Sequence, residues 1–236
     1  MALGIRSVNV LVVVILGAVG FAAVVLPGLL TSGRASNDRS SEALLKILSC
    51  AEYDFRSNDR DWNHVNDFWT GDVKGLYTMT SSAVEGHADP KADPSIRLIS
   101  REAAAADIDP DLVPAGGENR PLDADLVPSP YRGYWMGALL KDSSASEPSY
   151  KQDTGGTPEM GKCHHLSRFG FVAIPDSLSA SRFVMIVNEQ DTIYRCAATS
   201  NPKPGMSVPP GLKGVDPIYL NWPEASVLKA AWSKVR

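Results

Sequence analysis

The feature that most constrains this chain is an uncharged apolar run from Val8 to Leu30, in which Asn9 is the one strongly polar residue. A helix rises about 1.5 Å per residue, so this run is long enough to cross a hydrocarbon core of about 30 Å. A cleaved signal peptide is the competing interpretation, but its apolar region is usually about 7–15 residues long and ends in a small-x-small cleavage site. The segment Gly33-Arg34-Ala35 matches such a site poorly. The sequence therefore favours a retained single membrane anchor in residues 1–30.

The short segment before the apolar run predicts a cytoplasmic N-terminus, with the bulk of the chain periplasmic or extracellular. The positive-inside rule does not support this orientation, since Arg6 precedes the run and Arg34 and Arg39 follow it. The net charge is -4 and no Lys/Arg cluster occurs. This balance argues against a nucleic-acid partner, because phosphate binding needs clustered cations.

The segment after the anchor has the pattern of an amphipathic helix, predicted over residues 31–56. Neither glycine nor proline interrupts Arg34 to Phe55. The apolar residues at helical spacing are Leu44, Ile47, Leu48, Ala51 and Phe55. We expect this stripe to pack on a globular head, predicted as residues 57–236, and Cys50 to be a small buried residue of the helix.

The head combines strands with short helices. Asp93-Pro94-Ser95 predicts a helix start, and a proline-rich connection at about 107–130 is expected to be exposed. Strand patterns begin at Tyr131, in YRGYWMGALL, SRFGFVAIP, SRFVMIVN and DTIYRCA, with a hairpin between the last two. Short connections favour antiparallel pairing.

A closing helix from Pro223 is predicted, with an apolar face formed by Val227, Leu228, Ala231, Trp232 and Val235. The predicted fold class is α+β, a long transmembrane-to-amphipathic N-terminal helix packed on an antiparallel sheet, with a short C-terminal helix.

The acidic segment after the long helix is spaced like a calcium-binding loop. An EF-hand-like loop takes oxygen ligands from positions 1, 3, 5, 7 and 9 and a bidentate acid at 12. Numbered from Asp59, the candidate ligands are Asp59, Asp61, Asn63, the Val65 carbonyl and Asp67. Position 12 is Thr70, and Asp72 is the candidate replacement for the missing acid. The alternative is an Asx-rich turn that satisfies its own backbone, with nearby arginines as counter-charges.

No enzyme motif stands out in the chain. The sequence contains no GxSxG elbow, phosphate-binding glycine loop or HExxH motif. The local His/Cys cluster, Cys163-His164-His165, is expected to lie in a solvated loop. In an oxidising compartment Cys163 could form a disulfide with Cys196, although two free thiols are the alternative. We therefore predict a protein that is not an enzyme.

Two stretches resemble the type IV pilins and the pseudopilins of type II secretion, including secreted pilin-like bacterial proteins. They are VLVVVILGAVGFAAVVLPGLL with its continuation SGRASNDRSSEALLKILSCAEYDF, and the strand region SRFGFVAIPDSLSASRFVMIVNEQDTIYRC. Where this family carries a glycine and a glutamate around its processing site, this chain has Ile5 and Val10. The resemblance implies a membrane-anchored structural or assembly subunit of a cell-envelope filament or secretion system. Its partners would be pilin-like subunits or secretion components. A solitary anchored binding domain that does not polymerise is the alternative, and an envelope enzyme is a third interpretation.

Overall fold

A computed structural model describes residues 32–60, 64–78, 97–108, 127–152, 163–198 and 220–235. The first element is helix α1, residues 32–57. The elements that follow are β1 (Phe68–Trp69), α2 (Gly75–Thr78), α3 (Arg101–Ala105), β2 (Tyr134–Ala138), β3 (Lys141–Asp142), β4 (His164–His165), β5 (Gly170–Pro175), β6 (Phe183–Asn188), β7 (Tyr194–Ala197), β8 (Asn221–Trp222), α4 (Ala225–Ala231) and β9 (Ser233–Lys234).

The main sheet is antiparallel and has five strands in the order β2-β5-β6-β7-β9. Strands β6 and β7 form the predicted hairpin, with Ile186 opposite Tyr194. Two small ribbons lie outside this sheet, an antiparallel pair β1-β4 and a parallel pair β3-β8. The predicted α+β class with antiparallel pairing is therefore confirmed.

Both faces of the main sheet are covered by other parts of the chain, as the alternating side chains of β5 show. Phe171 and Ala173 point into the cluster that contains α1, while Val172 and Ile174 belong to a second cluster with Trp135. Successive strand residues point to opposite faces, so one strand serves two cores. The second cluster is closed by a group of side chains from loops and ribbons: Ile108, Leu139, Tyr150 and Trp222.

Helix α1 buries most of the stripe that its sequence predicted. The buried face is, however, rotated about the helix axis and includes more polar residues than predicted. Leu44, Leu48 and Phe55 are buried as predicted. Ile47 was predicted to be buried and is 48% exposed. The prediction that Cys50 is buried is also wrong, since its side chain is exposed. The buried face instead includes Leu45 and the polar residues Ser41, Ser49 and Glu52, of which Glu52 accepts a hydrogen bond from the Trp69 amide of the head.

The first turns of α1 are held to the head by hydrogen bonds. The hydroxyl of buried Tyr134 donates to Asp38 Oδ1 at 2.8 Å and lies 2.5 Å from Ser181 Oγ. Asn37 Nδ2 donates to the Ala180 carbonyl at 3.0 Å, and Arg34 Nε donates to the Ser179 carbonyl at 3.1 Å. The helix is thus attached by directional contacts as well as by apolar packing.

Helix α3 begins at Arg101, with Ser100 as its N-cap, and the predicted start signal Asp93-Pro94-Ser95 lies outside the described residues. The Ser100 hydroxyl accepts a hydrogen bond from the Ala103 amide at 3.2 Å, which satisfies a donor of the first turn. The predicted exposed connection at about 107–130 begins in the core, because Asp107 and Ile108 are buried. Residues 127–129 are exposed, and residues 109–126 lie outside the described part.

The C-terminal helix is shorter than its sequence pattern suggested. It ends at Ala231, none of its residues is buried, and the chain then forms β9 beside β7. Leu228 and Trp232 still pack against the second cluster, as partly buried residues. The backbone therefore turns from helix to strand where the sequence predicted one continuous helix.

The cysteine and histidine predictions meet different outcomes. Cys163 and Cys196 are both buried, and they do not form the predicted disulfide with each other. The solvated-loop prediction for Cys163-His164-His165 is wrong, because all three residues are buried and the two histidines form β4.

The apolar run Val8–Leu30 lies outside the described residues. Within those that are described, every helix is too short or too polar to cross a membrane.

Candidate functional site

The predicted calcium loop begins where α1 ends. Asp59 adopts a positive φ of 45°, and its Oδ2 accepts a hydrogen bond from the His64 amide at 3.1 Å. Asp61 and Asn63 lie outside the described residues. The Asp59 carboxylate thus links the end of α1 to the segment before β1.

Arg56 and Arg60 form hydrogen bonds on either side of this turn. Arg60 forms a bidentate pair with Asp54, with Nη2 2.6 Å from Oδ1 and 3.0 Å from Oδ2. Arg56 Nε donates to the Asn66 carbonyl at 3.2 Å, and its guanidinium lies 4.8 Å from the Phe68 ring centroid. The arginines therefore fix the turn on the end of α1.

Asp67 is fully buried, and the structure places Glu52 of α1 near it, a residue that sequence reasoning did not select. Glu52 is also fully buried, and its Oε2 accepts a hydrogen bond from the Trp69 amide at 2.9 Å. Burial raises the pKa of Glu52 well above its ordinary value; the Trp69 bond opposes the rise and Asp67 adds to it. Its position four residues after Leu48, in line with the buried stripe, was the available sequence signal.

The second oxygen of Glu52, Oε1, is buried and has no hydrogen-bond partner in the described part of the chain. Two neighbouring buried carboxyl groups repel each other when both are ionised. Burial and the Asp67 charge both favour the protonated form of Glu52. The structure therefore adds Glu52 to the set of acids that a cation in this region would meet.

Asp72, the candidate replacement ligand, caps the short helical turn that contains α2. Its Oδ1 accepts hydrogen bonds from the Gly75 amide at 2.6 Å and from Trp69 Nε1 at 3.3 Å. Burial raises the pKa of Asp72, with the Gly75 bond as the strongest opposing effect. One of its oxygens is thus already used by the protein backbone.

Asp107 caps the same turn from the other side. Its Oδ2 accepts hydrogen bonds from the Val73 amide at 3.1 Å and the Lys74 amide at 3.0 Å. Burial raises the pKa of Asp107 well above its ordinary value, and the Asp72 charge adds to the rise. Lys151 Nζ, which donates to the Gly71 carbonyl at 3.1 Å, has a pKa lowered by burial. Asp107 and Lys151 therefore have a structural role, because their buried side chains hydrogen-bond backbone amides and a backbone carbonyl.

His165 is fixed by its neighbours in the β1-β4 ribbon. Its Nδ1 accepts hydrogen bonds from the Ser167 amide at 3.1 Å and the Arg168 amide at 3.0 Å. Arg168 also pairs with Asp142 at 3.1 Å. Burial lowers the pKa of His165, and the Arg168 charge lowers it further, so this ring is held in its neutral form.

Among the residues that the structure describes, no three His, Cys, Asp or Glu side chains lie close enough together to hold a metal ion. Of the predicted ligands, Asp59, Val65, Asp67 and Asp72 are described, and they lie along the chain from the end of α1 to the start of α2. Calcium binding by Asp59, Asp61, Asn63, Val65, Asp67 and Asp72 stays a prediction.

No family model, no curated protein and no solved structure matches this chain. No relative therefore carries a function over to it.

Proposed function

We propose that this chain is a membrane-anchored, pilin-like structural or assembly subunit that works by packing against other chains of the cell envelope. The observation that carries the proposal is the two-sided character of α1. One face of the helix packs on the head, while the opposite face leaves apolar side chains in solvent.

The outward face of α1 forms a stripe of its own. Ala43, Ile47 and Cys50 are exposed and follow one another at spacings of four and three residues, which places them on one side of a helix. Tyr53 borders the stripe on the side of the head: it is 43% exposed, but its ring lies edge-on to Phe68 and Phe169 and its hydroxyl donates to the Glu189 carbonyl. An exposed isoleucine beside small side chains permits the close approach of a second helix.

The anchor predicted from Val8–Leu30 supports the same proposal from the sequence. It precedes α1 directly, so copies of the chain in one membrane would present their α1 helices at a similar height above the bilayer. Confinement raises the effective concentration of such helices, and a contact of modest area then suffices for assembly. The work is done by packing, and no catalytic step is required of the buried carboxylates.

Cys50 provides the test without any engineered label. The chain has three cysteines, and Cys163 and Cys196 are buried, so a membrane-permeant bis-maleimide reaches Cys50 first. We expect crosslinked products in native membranes, either dimers of the 25.3 kDa chain or adducts with a partner. Cys50→Ser should abolish these products, and Ile47→Lys should reduce them several-fold because it places a charge in the contact.

The matched control moves the thiol to α4. In a Cys50→Ser background, Ser226→Cys places an exposed cysteine on that helix, away from the stripe. Equal crosslinking at both positions would reflect random collision and would contradict the proposal. Monomers alone at Cys50 would instead favour the second candidate, a solitary anchored binding domain, which is supported by the charged groove described next.

A further inference from the structure

A groove runs between α1 and the edge of the main sheet, with a cavity volume of about 420 Å³. One wall is a helical stripe of α1, and the other comes from the turn before β7 and from β9. Its lining residues are Arg39, Glu42, Ala43, Lys46, Asp191, Thr192, Ile193, Lys234 and Val235. Sites for small molecules typically measure about 300–1,000 Å³, so this volume suits a small ligand.

Three cations and two carboxylates, Glu42 and Asp191, line this groove. Arg39 and Lys46 lie two helical turns apart on α1, and Lys234 faces them from β9. None of these three side chains forms an ion pair within the part of the chain that the structure describes. The three cations outnumber the two carboxylates of the lining, so the groove is weakly positive in a chain whose net charge is -4.

The groove also holds a carboxyl group that distinguishes it from a plain cationic patch. Glu42 lies between Arg39 and Lys46 on the same wall, and burial raises its pKa, while the Arg195 charge opposes the rise. A carboxyl in this position accepts a hydrogen bond from a hydroxyl or amine. Ala43, Ile193 and Val235 supply apolar lining between the charged ends.

We propose that this groove binds a small organic polyanion, with carboxylate or phosphate groups on Arg39, Lys46 and Lys234 and a hydroxyl or amine group on Glu42. The cations provide charge-assisted hydrogen bonds, which are the stronger kind. Glu42 provides selectivity, because it repels a bare anion and accepts a hydrogen bond from a ligand that carries a donor. This inference does not depend on the assembly function, since a lone copy contains every lining residue.

Isothermal titration of the full chain, in an uncharged detergent at about 0.15 M salt, tests the proposal. The salt level matters because it limits the Debye length to about 8 Å and suppresses non-specific attraction. The probes are citrate, which carries a hydroxyl, tricarballylate, which lacks it, and inorganic pyrophosphate. We expect saturable binding of citrate with one site per chain, and weaker binding of tricarballylate.

Charge reversal locates the site. Lys234→Glu and Lys46→Glu should each weaken citrate binding by about tenfold or more, because each replaces an attraction by a repulsion at short range. Lys229→Glu is the matched control, since Lys229 is an exposed lysine of α4 outside the groove. Glu42→Gln should reduce the preference for citrate over tricarballylate.

The results that overturn the proposal are specific. Absence of saturable binding for all three probes removes the anion site. Equal losses in Lys229→Glu and Lys234→Glu would assign the binding to general charge rather than to the groove. Equal affinities for citrate and tricarballylate would remove the role given to Glu42. None of these results bears on crosslinking through Cys50, so the two proposals fail independently.

Discussion

Replacing Glu52 by glutamine tests whether the packed face of α1 contains a protonated carboxyl. Glu52 is fully buried, its Oε2 accepts the Trp69 amide, and its Oε1 has no partner among the described residues. Glutamine keeps an acceptor oxygen for Trp69 at nearly the same volume and never ionises. The substitution therefore removes the titration of this side chain and leaves its packing in place.

The sign of the effect follows from the raised pKa. Between the ordinary value of 4.5 and the raised pKa of Glu52, the folded chain retains a proton that the unfolded chain releases. The stabilising contribution is complete below the ordinary value and is lost as the pH rises through this window. For one proton the free energy of unfolding falls by up to about 1.4 kcal/mol per pH unit. Glu52→Gln should remove this slope and gain stability relative to wild type toward the upper end of the window.

The assay is guanidinium denaturation of the full chain in an uncharged detergent, at four pH values about one unit apart from about pH 5 to about pH 8. Fluorescence follows unfolding, because Trp69, Trp135 and Trp222 are buried. Other carboxyl groups with raised pKa values are present in both proteins, so the difference between the two curves isolates Glu52. Glu224→Gln is the control, since Glu224 is exposed and makes no side-chain cap bond to α4.

Parallel curves for wild type and Glu52→Gln would refute this reasoning, because they would give Glu52 the same pKa in the folded and unfolded chain. A variant that loses stability at every pH would refute it in another way. That result would mean that the negative charge itself is needed, as it would be if a cation lay beside Glu52 and Asp67.

Three further predictions concern other contacts. Tyr134→Phe should lower the free energy of unfolding by about 1–3 kcal/mol in denaturant titrations, because the hydroxyl hydrogen-bonds two side chains that hold α1 to the head; no loss would show that these bonds are dispensable. Gly75→Ala should cost about 1–3 kcal/mol, since its Cβ would overlap the Trp69 indole, whereas Gly33→Ala meets no neighbour and should be neutral or stabilising by up to about 1 kcal/mol. Millimolar calcium should raise the Tm, and Asp61→Ala should abolish the rise; an unchanged wild-type Tm would remove the calcium site.

Local patterns predicted the elements whose partners lie close in sequence. The alternation in β5 and the short turn before β7 were sufficient for antiparallel strands, because such a hairpin pairs with itself. The two ribbons were not predicted. His164 in β4 pairs with Trp69 in β1, and a two-residue strand has no periodicity to detect.

The sequence by itself determined a 3.6-residue apolar period from Leu44 to Phe55 and a turn after it, since helical spacing and Asx residues act over a few positions. Only the tertiary structure decided the rotation of α1, which places Glu52 inside and Ile47 outside. Apolarity ranks Ile47 above Glu52 for burial, but the Trp69 amide needs an acceptor, and its hydrogen bond offsets part of the cost of burying the carboxyl. The anion groove likewise exists only when α1 and β9 meet, because its cations come from elements far apart in the chain.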